Sequence, residues 1–329
     1  MSRILVTGGA GYIGSHTVLS LVEQGHEVTV YDSLEEGHAA AVRGASLVQA
    51  NILDSDALDA ALRDHQIEAV VHFAAYLKVP ESMEHPGKYF YNNTAGTLNL
   101  LQRMVRAGVD RLVFSSTCAV YGEPHQTPIS EDHPKNPTNP YGQSKLMSEQ
   151  RMDWFSAVHG LRSVRLRYFN AAGADPRGKL GEDHRPEIHL IPLLLQVAIG
   201  QRPEIQIFGD DYDTPDGTCI RDYIHVTDLA QAHIRALDAL AAGAATTAYN
   251  VGNGAGFSVK QVIDAAREVT GHSIPTRLLP RRAGDPARLI GSADRLRAEL
   301  KWRPEFADLK TIIRTAWDWY RQNPSGYSS

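Results

Sequence analysis

Glycines at positions 8, 11 and 14 stand in Thr7-Gly8-Gly9-Ala10-Gly11-Tyr12-Ile13-Gly14, between an apolar run over residues 4–7 and a helical segment over residues 15–24. Few folds accept such a junction. Gly8 permits a tight turn out of a strand, Gly11 lets backbone amides approach a phosphate with no Cβ in the way, and Gly14 lets the helix pack close to the strand. The N-terminus of that helix presents unpaired N–H groups and a partial positive charge, which favour an anion.

Further apolar runs over residues 27–31, 69–73, 111–115 and 163–168 alternate with helical segments. That alternation predicts an α/β fold with a doubly wound parallel sheet. Gly25 and Gly108 are suited to ending the helices over residues 15–24 and 86–107. Asp32 follows the second strand, 18 residues past Gly14, where an acid accepts hydrogen bonds from the ribose hydroxyls of NAD. Its carboxylate repels a 2′-phosphate and no Arg or Lys stands in residues 33–37, so NAD is preferred over NADP.

Beyond Tyr168, Gly, Pro and charge accumulate over residues 173–186. The expected division is a dinucleotide-binding domain over residues 1–168, with returning segments over about 222–246 and 306–324. A smaller mixed α/β substrate domain takes residues 169–221 and 247–305. In the last helix Leu309, Ile312, Ile313, Ala316, Trp317 and Tyr320 recur at helical spacing and form a buried stripe.

The 33 Lys+Arg against 38 Asp+Glu give a net charge of −5, and no basic stripe interleaves with aromatics, which disfavours nucleic acid as a partner. The most apolar run, residues 190–199, is broken by Pro192 and Gln196 and is too short for the ~30 Å of a bilayer core. With no secretory signal at the N-terminus, the expected location is the cytoplasm. Cys118 and Cys219 read as buried thiols rather than a disulfide framework. No metal is expected. The loop over residues 211–216 lacks the glycine and glutamate of a calcium loop, and His184 and His189 stand five apart with no thiolate nearby.

Tyr141 and Lys145 lie four apart near the start of a helix, so phenol and ammonium share one face. A tyrosine with a pKa near 10 is a poor base at neutral pH, but an adjacent cation favours phenolate; a shift of about three units corresponds to roughly 4 kcal/mol. Lys145 together with an oxidised nicotinamide supplies such charge. Ser115, Ser116 and Thr117 end the strand that begins at Arg111, and active sites of open α/β sheets lie outside the carboxyl ends of strands. Thr117 is the preferred partner for a sugar hydroxyl, with Ser116 the rival.

These residues, with Val120-Tyr121-Gly122, Arg167-Tyr168-Phe169-Asn170 and residues 217–226 (GTCIRDYIHV), resemble the extended short-chain dehydrogenases, and within them the UDP-glucose 4-epimerases. The resemblance spans nearly the whole chain. It implies a Rossmann-type sheet, held NAD, a UDP-sugar as partner, a homodimer, and interconversion of UDP-glucose and UDP-galactose through a 4-keto sugar. It assigns Tyr141, Lys145 and Thr117 to catalysis. On the cofactor side it matches Gly8, Gly11, Tyr12, Ile13, Gly14, Asp32, Asn51, Ile52, Phe73, Ala74, Ala75, Asn93, Ser115 and Tyr168. For substrate it implies Asn170, Arg221 and Arg282 about the diphosphate and Asp285 at the ribose. Gln206, Ile207 and Phe208 fall at uracil, and His189, Leu190 and Leu289 complete the lining, with Tyr168 approaching the hexose.

Departures are informative. Asn51 replaces an Asp that contacts adenine, His189 replaces an Asn, Lys78 is displaced by one position from a Lys near the nicotinamide, and Leu289 stands in place of a Tyr that limits room at sugar carbon 2. Sugar 4,6-dehydratases and decarboxylases need a carboxyl after the Thr, where this chain has Cys118 and Ala119. Epimerases of UDP-N-acetylglucosamine, UDP-xylose or UDP-glucuronate remain alternatives. So does an NAD-binding regulator without chemistry, against which the intact Tyr141 and Lys145 weigh.

Overall fold

The computed structural model describes residues 1–282 and 284–327. In chain order the first half holds β1 (Arg3–Thr7), α1 (Tyr12–Glu23), β2 (Glu27–Asp32), β3 (Ser46–Gln49), α2 (Ser55–Asp64), β4 (Ala69–His72), α3 (Val79–Glu84), α4 (Pro86–Tyr89), α5 (Gly96–Ala107), β5 (Arg111–Thr117), α6 (Pro140–His159) and β6 (Arg162–Tyr168). The second half holds β7 (Asn170–Ala172), α7 (Leu190–Ala198), β8 (Ile205–Phe208), β9 (Ile220–His225), α8 (Val226–Ala241), β10 (Thr247–Val251), β11 (Gly256–Ser258), α9 (Val259–Thr270), β12 (Thr276–Leu279), β13 (Arg288–Leu289), α10 (Asp294–Leu300) and α11 (Leu309–Gln322).

Seven parallel strands form the main sheet in the order β10-β6-β5-β4-β1-β2-β3. Its strands are apolar nearly throughout because helices cover both faces. Val18 and Leu21 of α1 and Leu229 and Leu237 of α8 pack on one face with Ile4, Val6 and Val113. Leu58 and Leu62 of α2, Leu100 and Met104 of α5 and Met152 of α6 pack on the other with Leu5, Val70 and Leu112. The chain order reverses between β1 and β4, and in such sheets a ligand crevice opens at that reversal. No helix among the described residues is long and apolar enough to cross a membrane.

The smaller part comprises a sheet in the order β11-β9-β13, with β7 also on β9, and the separate pair β8-β12. Its core joins α7, α9 and α11 through Leu194, Val262, Ile313 and Trp317. Residues 222–225, expected to return to the first domain, form part of β9 in the smaller sheet because they pair with β7 and β11, and two further segments differ from their expected placement. Residues 247–251, expected in the smaller domain, form the edge strand β10 of the main sheet, because Asn250 and its neighbours pair in register with β6. The stripe on α11, expected to return to the first domain, is buried against α7 and α9 instead. Residues 226–241 do return, as α8 against α1.

At the glycine junction, Gly8 has φ +71° and an added Cβ there would lie 2.5 Å from the Ala74 backbone nitrogen. The clash at Gly14 is more severe, with a Cβ only 2.1 Å from the Gly8 carbonyl oxygen. Gly14→Ala therefore has to push α1 away from β1 and destabilises the fold by at least about 2 kcal/mol. A urea unfolding midpoint that matches wild type contradicts this close packing.

Candidate active site

The turn after β1 lies against the end of β4. Thr7 pairs with His72, and the Thr7 carbonyl accepts from the backbone N–H of Phe73 (2.8 Å) and of Ala74 (3.1 Å). Phe73, Ala74 and Ala75 thus follow β4 directly beside the glycines. Gly11 caps α1. The nearest atom to a Cβ added at Gly11 is 3.4 Å away, so the chain's own packing tolerates alanine there. The cradle fits a pyrophosphate whose approach a Cβ would block.

Asp32 closes this cradle from β2. One carboxylate oxygen accepts from the Ala10 N–H and the other from the Leu34 N–H, each at 2.9 Å. Burial raises its pKa and those two amides oppose the rise. Asn51 accepts from the Leu53 N–H at 2.9 Å and donates towards Glu35 at 3.4 Å; its oxygen keeps a second lone pair. Ile52 is buried beside Gly96. Lys78 forms an ion pair with Glu36 at 2.8 Å, and the Tyr76 hydroxyl donates to Glu35 at 2.5 Å. These contacts tie the loop after β4 to the loop after β2. The sequence reading missed Tyr76, Glu35 and Glu36, since no local spacing joins them.

Asn93 lies in a widened π turn, Phe90–Ala95, within the helical stretch predicted as one piece; such turns frequently occur at functional positions. Its amide donates to the Tyr76 carbonyl (3.0 Å) and the Ser144 hydroxyl (3.1 Å), and its oxygen accepts from the Tyr76 N–H (2.9 Å). It fixes the loop after β4 against α6.

Helix α6 begins at Pro140, where a missing N–H costs nothing, and Asn139 caps it by accepting from the Gly142 N–H at 2.8 Å. Tyr141 therefore sits in the first turn and Lys145 one turn on, facing β5. The Lys145 ammonium is buried, donates to the Ser115 carbonyl at 2.9 Å and lies 4.9 Å from the centre of the Phe114 ring. Burial lowers its pKa to about 7, against the pull of Glu149. The Ser115 and Tyr168 hydroxyls meet at 2.5 Å.

Strand β5 runs two residues further than predicted, through Thr117, and alternation along it separates the two rival hydroxyls. Ser116 is buried and donates to Glu149 at 2.6 Å. Thr117 neighbours Tyr141. Burial pushes the Tyr141 phenol above its ordinary range, Tyr168 adds to this, and the Thr117 hydroxyl works against it. This rise is that of the chain without a cofactor's charge; the sequence expectation of a lowered phenol called on an oxidised nicotinamide as well as on Lys145.

Among the residues expected at the substrate, Asn170 donates to the Asp222 carbonyl at 3.0 Å, joining β7 to β9. Arg221 and Asp285 bond to each other, and Arg282 stacks on Phe208 at 3.8 Å. Of residues 206–208, Ile207 is buried and Gln206 exposed, as alternation along β8 requires. Leu289 pairs in register with Arg221 and packs with Cys118, Leu146 and Phe169. Burial pushes the Cys118 thiol up to about 12, opposed by Arg221, so this side adjoins the end of β5. His189 caps α7 ahead of Leu190, with its Nδ1 held by Glu187 at 2.8 Å and Glu182 at 2.9 Å. Tyr12 instead spans to the smaller part, its hydroxyl donating to the Gly173 carbonyl at 2.6 Å.

A family model described as "NAD dependent epimerase/dehydratase family" matches residues 4–252. A protein of Halalkalibacterium halodurans named UDP-glucose 4-epimerase is 53% identical, over 99% of this chain and 98% of its own. The crystal structure of UDP-glucose 4-epimerase from Brucella ovis in complex with NAD is 45% identical, covers 97% of this chain and 98% of its own, and superposes with a TM-score of 0.95. That from Bifidobacterium longum in complex with NAD+ and UDP is 37% identical with a TM-score of 0.93, covering 99% of this chain and 100% of its own.

The Ser116 anchor generates a prediction. Glu149 also accepts from Arg167 at 2.9 and 2.6 Å, and both side chains are buried. Removing one charge leaves the other uncompensated, so Glu149→Gln should cost about 3 kcal/mol or more. Chemical denaturation checks this; a loss within about 0.5 kcal/mol contradicts the anchoring role.

Proposed function

Since the chain belongs to the NAD dependent epimerase/dehydratase family, we propose that it interconverts UDP-glucose and UDP-galactose, with Tyr141 moving the proton of the sugar 4-hydroxyl. The observation that carries this reading is that α6 sets Tyr141 in its first turn and Lys145 one turn on, with the Lys145 ammonium donating to the Ser115 carbonyl at 2.9 Å near the carboxyl end of β5, two strands from the glycine turn. The named activity of the full-length relatives supports it.

NAD, held by the glycine turn and Asp32, supplies a reversible two-electron acceptor and a positive charge. The chain's own groups do the rest. Tyr141 takes the hydroxyl proton at its phenolic oxygen and later returns it, while Thr117 orients the sugar hydroxyl. Lys145 braces the end of β5 through the Ser115 carbonyl, one helical turn from the phenol. Arg221 and Arg282 grip the diphosphate, for which the fork of guanidinium donors is suited; the pairing of Arg221 with Asp285 holds that fork in place beforehand. Asn170 and residues 206–208 hold the rest of the nucleotide.

Dehydration is disfavoured by a specific feature: Cys118, where a dehydratase places a carboxyl, is buried with its pKa pushed up to about 12, so it is a poor proton shuttle at neutral pH. We also place the chain in the cytoplasm as a homodimer. The free, buried Cys118 and Cys219 suit a reducing compartment. Trp154 and Val158, 72% and 68% exposed, stand four apart on α6 and offer an apolar face to a second copy.

Tyr141→Phe removes the proton acceptor and little volume, and should lower turnover of UDP-galactose to UDP-glucose by about 10³-fold with NAD still bound. A coupled assay beside a measurement of NAD content checks this. Wild-type turnover by the variant eliminates Tyr141 as the base.

A further inference from the structure

Glu182, His184, Glu187 and His189 form a compact cluster, of which only His189 is among the residues expected to line the substrate, and its Nδ1 faces the two carboxylates instead. It is the one group of metal-ligating side chains of this kind among the described residues, and its donor atoms all lie within 4.8 Å of one another. We propose that these four side chains bind a divalent cation, zinc by the chemistry of the donors, as a structural site that fixes the loop leading into α7.

The geometry is that of a nearly closed coordination shell. His189 Nδ1 lies 2.9 Å from Glu182 and 2.8 Å from Glu187, and His184 Nδ1 lies 3.2 Å from Glu182 and 3.6 Å from Glu187. A tetrahedral zinc with bonds of about 2.1 Å sets its donors roughly 3.4 Å apart, towards the upper end of those contacts and within the 4.8 Å that spans all four donors. The Glu182 and Glu187 side chains are 7% and 4% exposed, and that of His184 10%.

A second observation points to a ligand. His184 Nδ1 is buried and makes no hydrogen bond, despite two carboxylates within 3.6 Å. A buried ring nitrogen that aims into a cluster without aligning to any one partner is suited to a central cation. Glu187 is oriented by the backbone N–H groups of Ile188 (2.7 Å) and His189 (2.8 Å), both on Oε1, and turns Oε2 towards His184; such outer support is common among metal ligands.

The donor set selects the metal. Two imidazoles and two carboxylates suit zinc, whereas magnesium and calcium favour oxygen alone. Two carboxylates and two neutral imidazoles around a divalent ion sum to zero charge. Four protein donors fill a tetrahedron, so the role is structural. The sequence reading considered only the two histidines and looked for thiolates; the fold adds Glu182 and Glu187. The site sits where the halves of the molecule meet. The His184 ring contacts the edge of Tyr12, with centroids 6.2 Å apart, and His38 bonds to Asp183.

The test uses tag-free full-length protein, stripped with chelator and titrated with zinc chloride, with metal content measured after gel filtration. About one zinc per chain is expected, with uptake at least tenfold weaker in Glu187→Gln and in His184→Ala and with magnesium failing to compete. Zinc absorption-edge spectra of the wild type supply a readout independent of variant folding: nitrogen and oxygen at about 2.0–2.2 Å and no sulfur. Substoichiometric uptake by the stripped wild type, unchanged binding by both variants, or sulfur in the shell overturns the proposal; the first of these leaves two imidazolium–carboxylate pairs as the whole content of the cluster.

Discussion

The buried pair of Glu149 and Arg167 joins four elements whose mutual placement sets the geometry of the site. Arg167 lies in register between Ser116 of β5 and Asn250 of β10. Its guanidinium takes both oxygens of Glu149 on α6 and donates to the Tyr121 hydroxyl at 2.9 Å, which donates in turn to Asn250 at 2.7 Å. Burial alone would raise the Glu149 pKa, but Arg167 and Ser116 overcome that and hold it low. The pair gains little net stability over an apolar replacement; its structural consequence is that α6 keeps one rotation and one height over β5. Tyr141 and Lys145 inherit their positions from that rotation, as does the engagement of Ser116 rather than Thr117 by Glu149.

The second constraint lies at the reversal between β1 and β4. Close approach of Gly8 to Ala74 and of Gly14 to Gly8 brings the start of α1, the end of β4 and the loop after β2 into one cradle. The three glycines differ here: Gly8 and Gly14 answer to the chain's own backbone, whereas the nearest atom to a Cβ at Gly11 lies 3.4 Å away. The parallel sheet then delivers the glycine turn and the Tyr141 helix to the same edge, since every strand ends on that side. Chemistry that needs a dinucleotide and a phenol together follows from the sheet's direction.

Much of this was legible in the chain. Strands β1, β2, β4, β5 and β6 were marked by apolar, β-branched runs because both faces of the sheet are covered, and Gly25 and Gly108 adopt the left-handed conformation expected after a helix. Less was legible where pairing rather than composition decides. Ser116 and Thr117 extend β5 because β6 supplies partners in register, and β3 is an exposed edge whose pattern carries little apolar signal. The two-residue β13 exists only through β9. Residues 247–251 and the α11 stripe were assigned to the wrong side because an apolar face announces burial without naming its partner. The Glu182–His189 cluster escaped for a related reason, in that loop closure brings carboxylates to histidines that lack a familiar spacing.

Within the site, the chemistry turns on the protonation of Tyr141. The fold raises the phenol's pKa by burial and gives it Thr117, while Lys145 serves the Ser115 carbonyl. A proton-accepting Tyr141 thus requires the positive charge of the bound cofactor in addition to the fold. Ultraviolet difference titration of the NAD-loaded protein, with Tyr141→Phe subtracted, measures this directly. A phenolate signal that belongs to Tyr141 and titrates below about pH 8 is the predicted result, and one that appears only at or above about pH 10, the range of a free tyrosine, contradicts it.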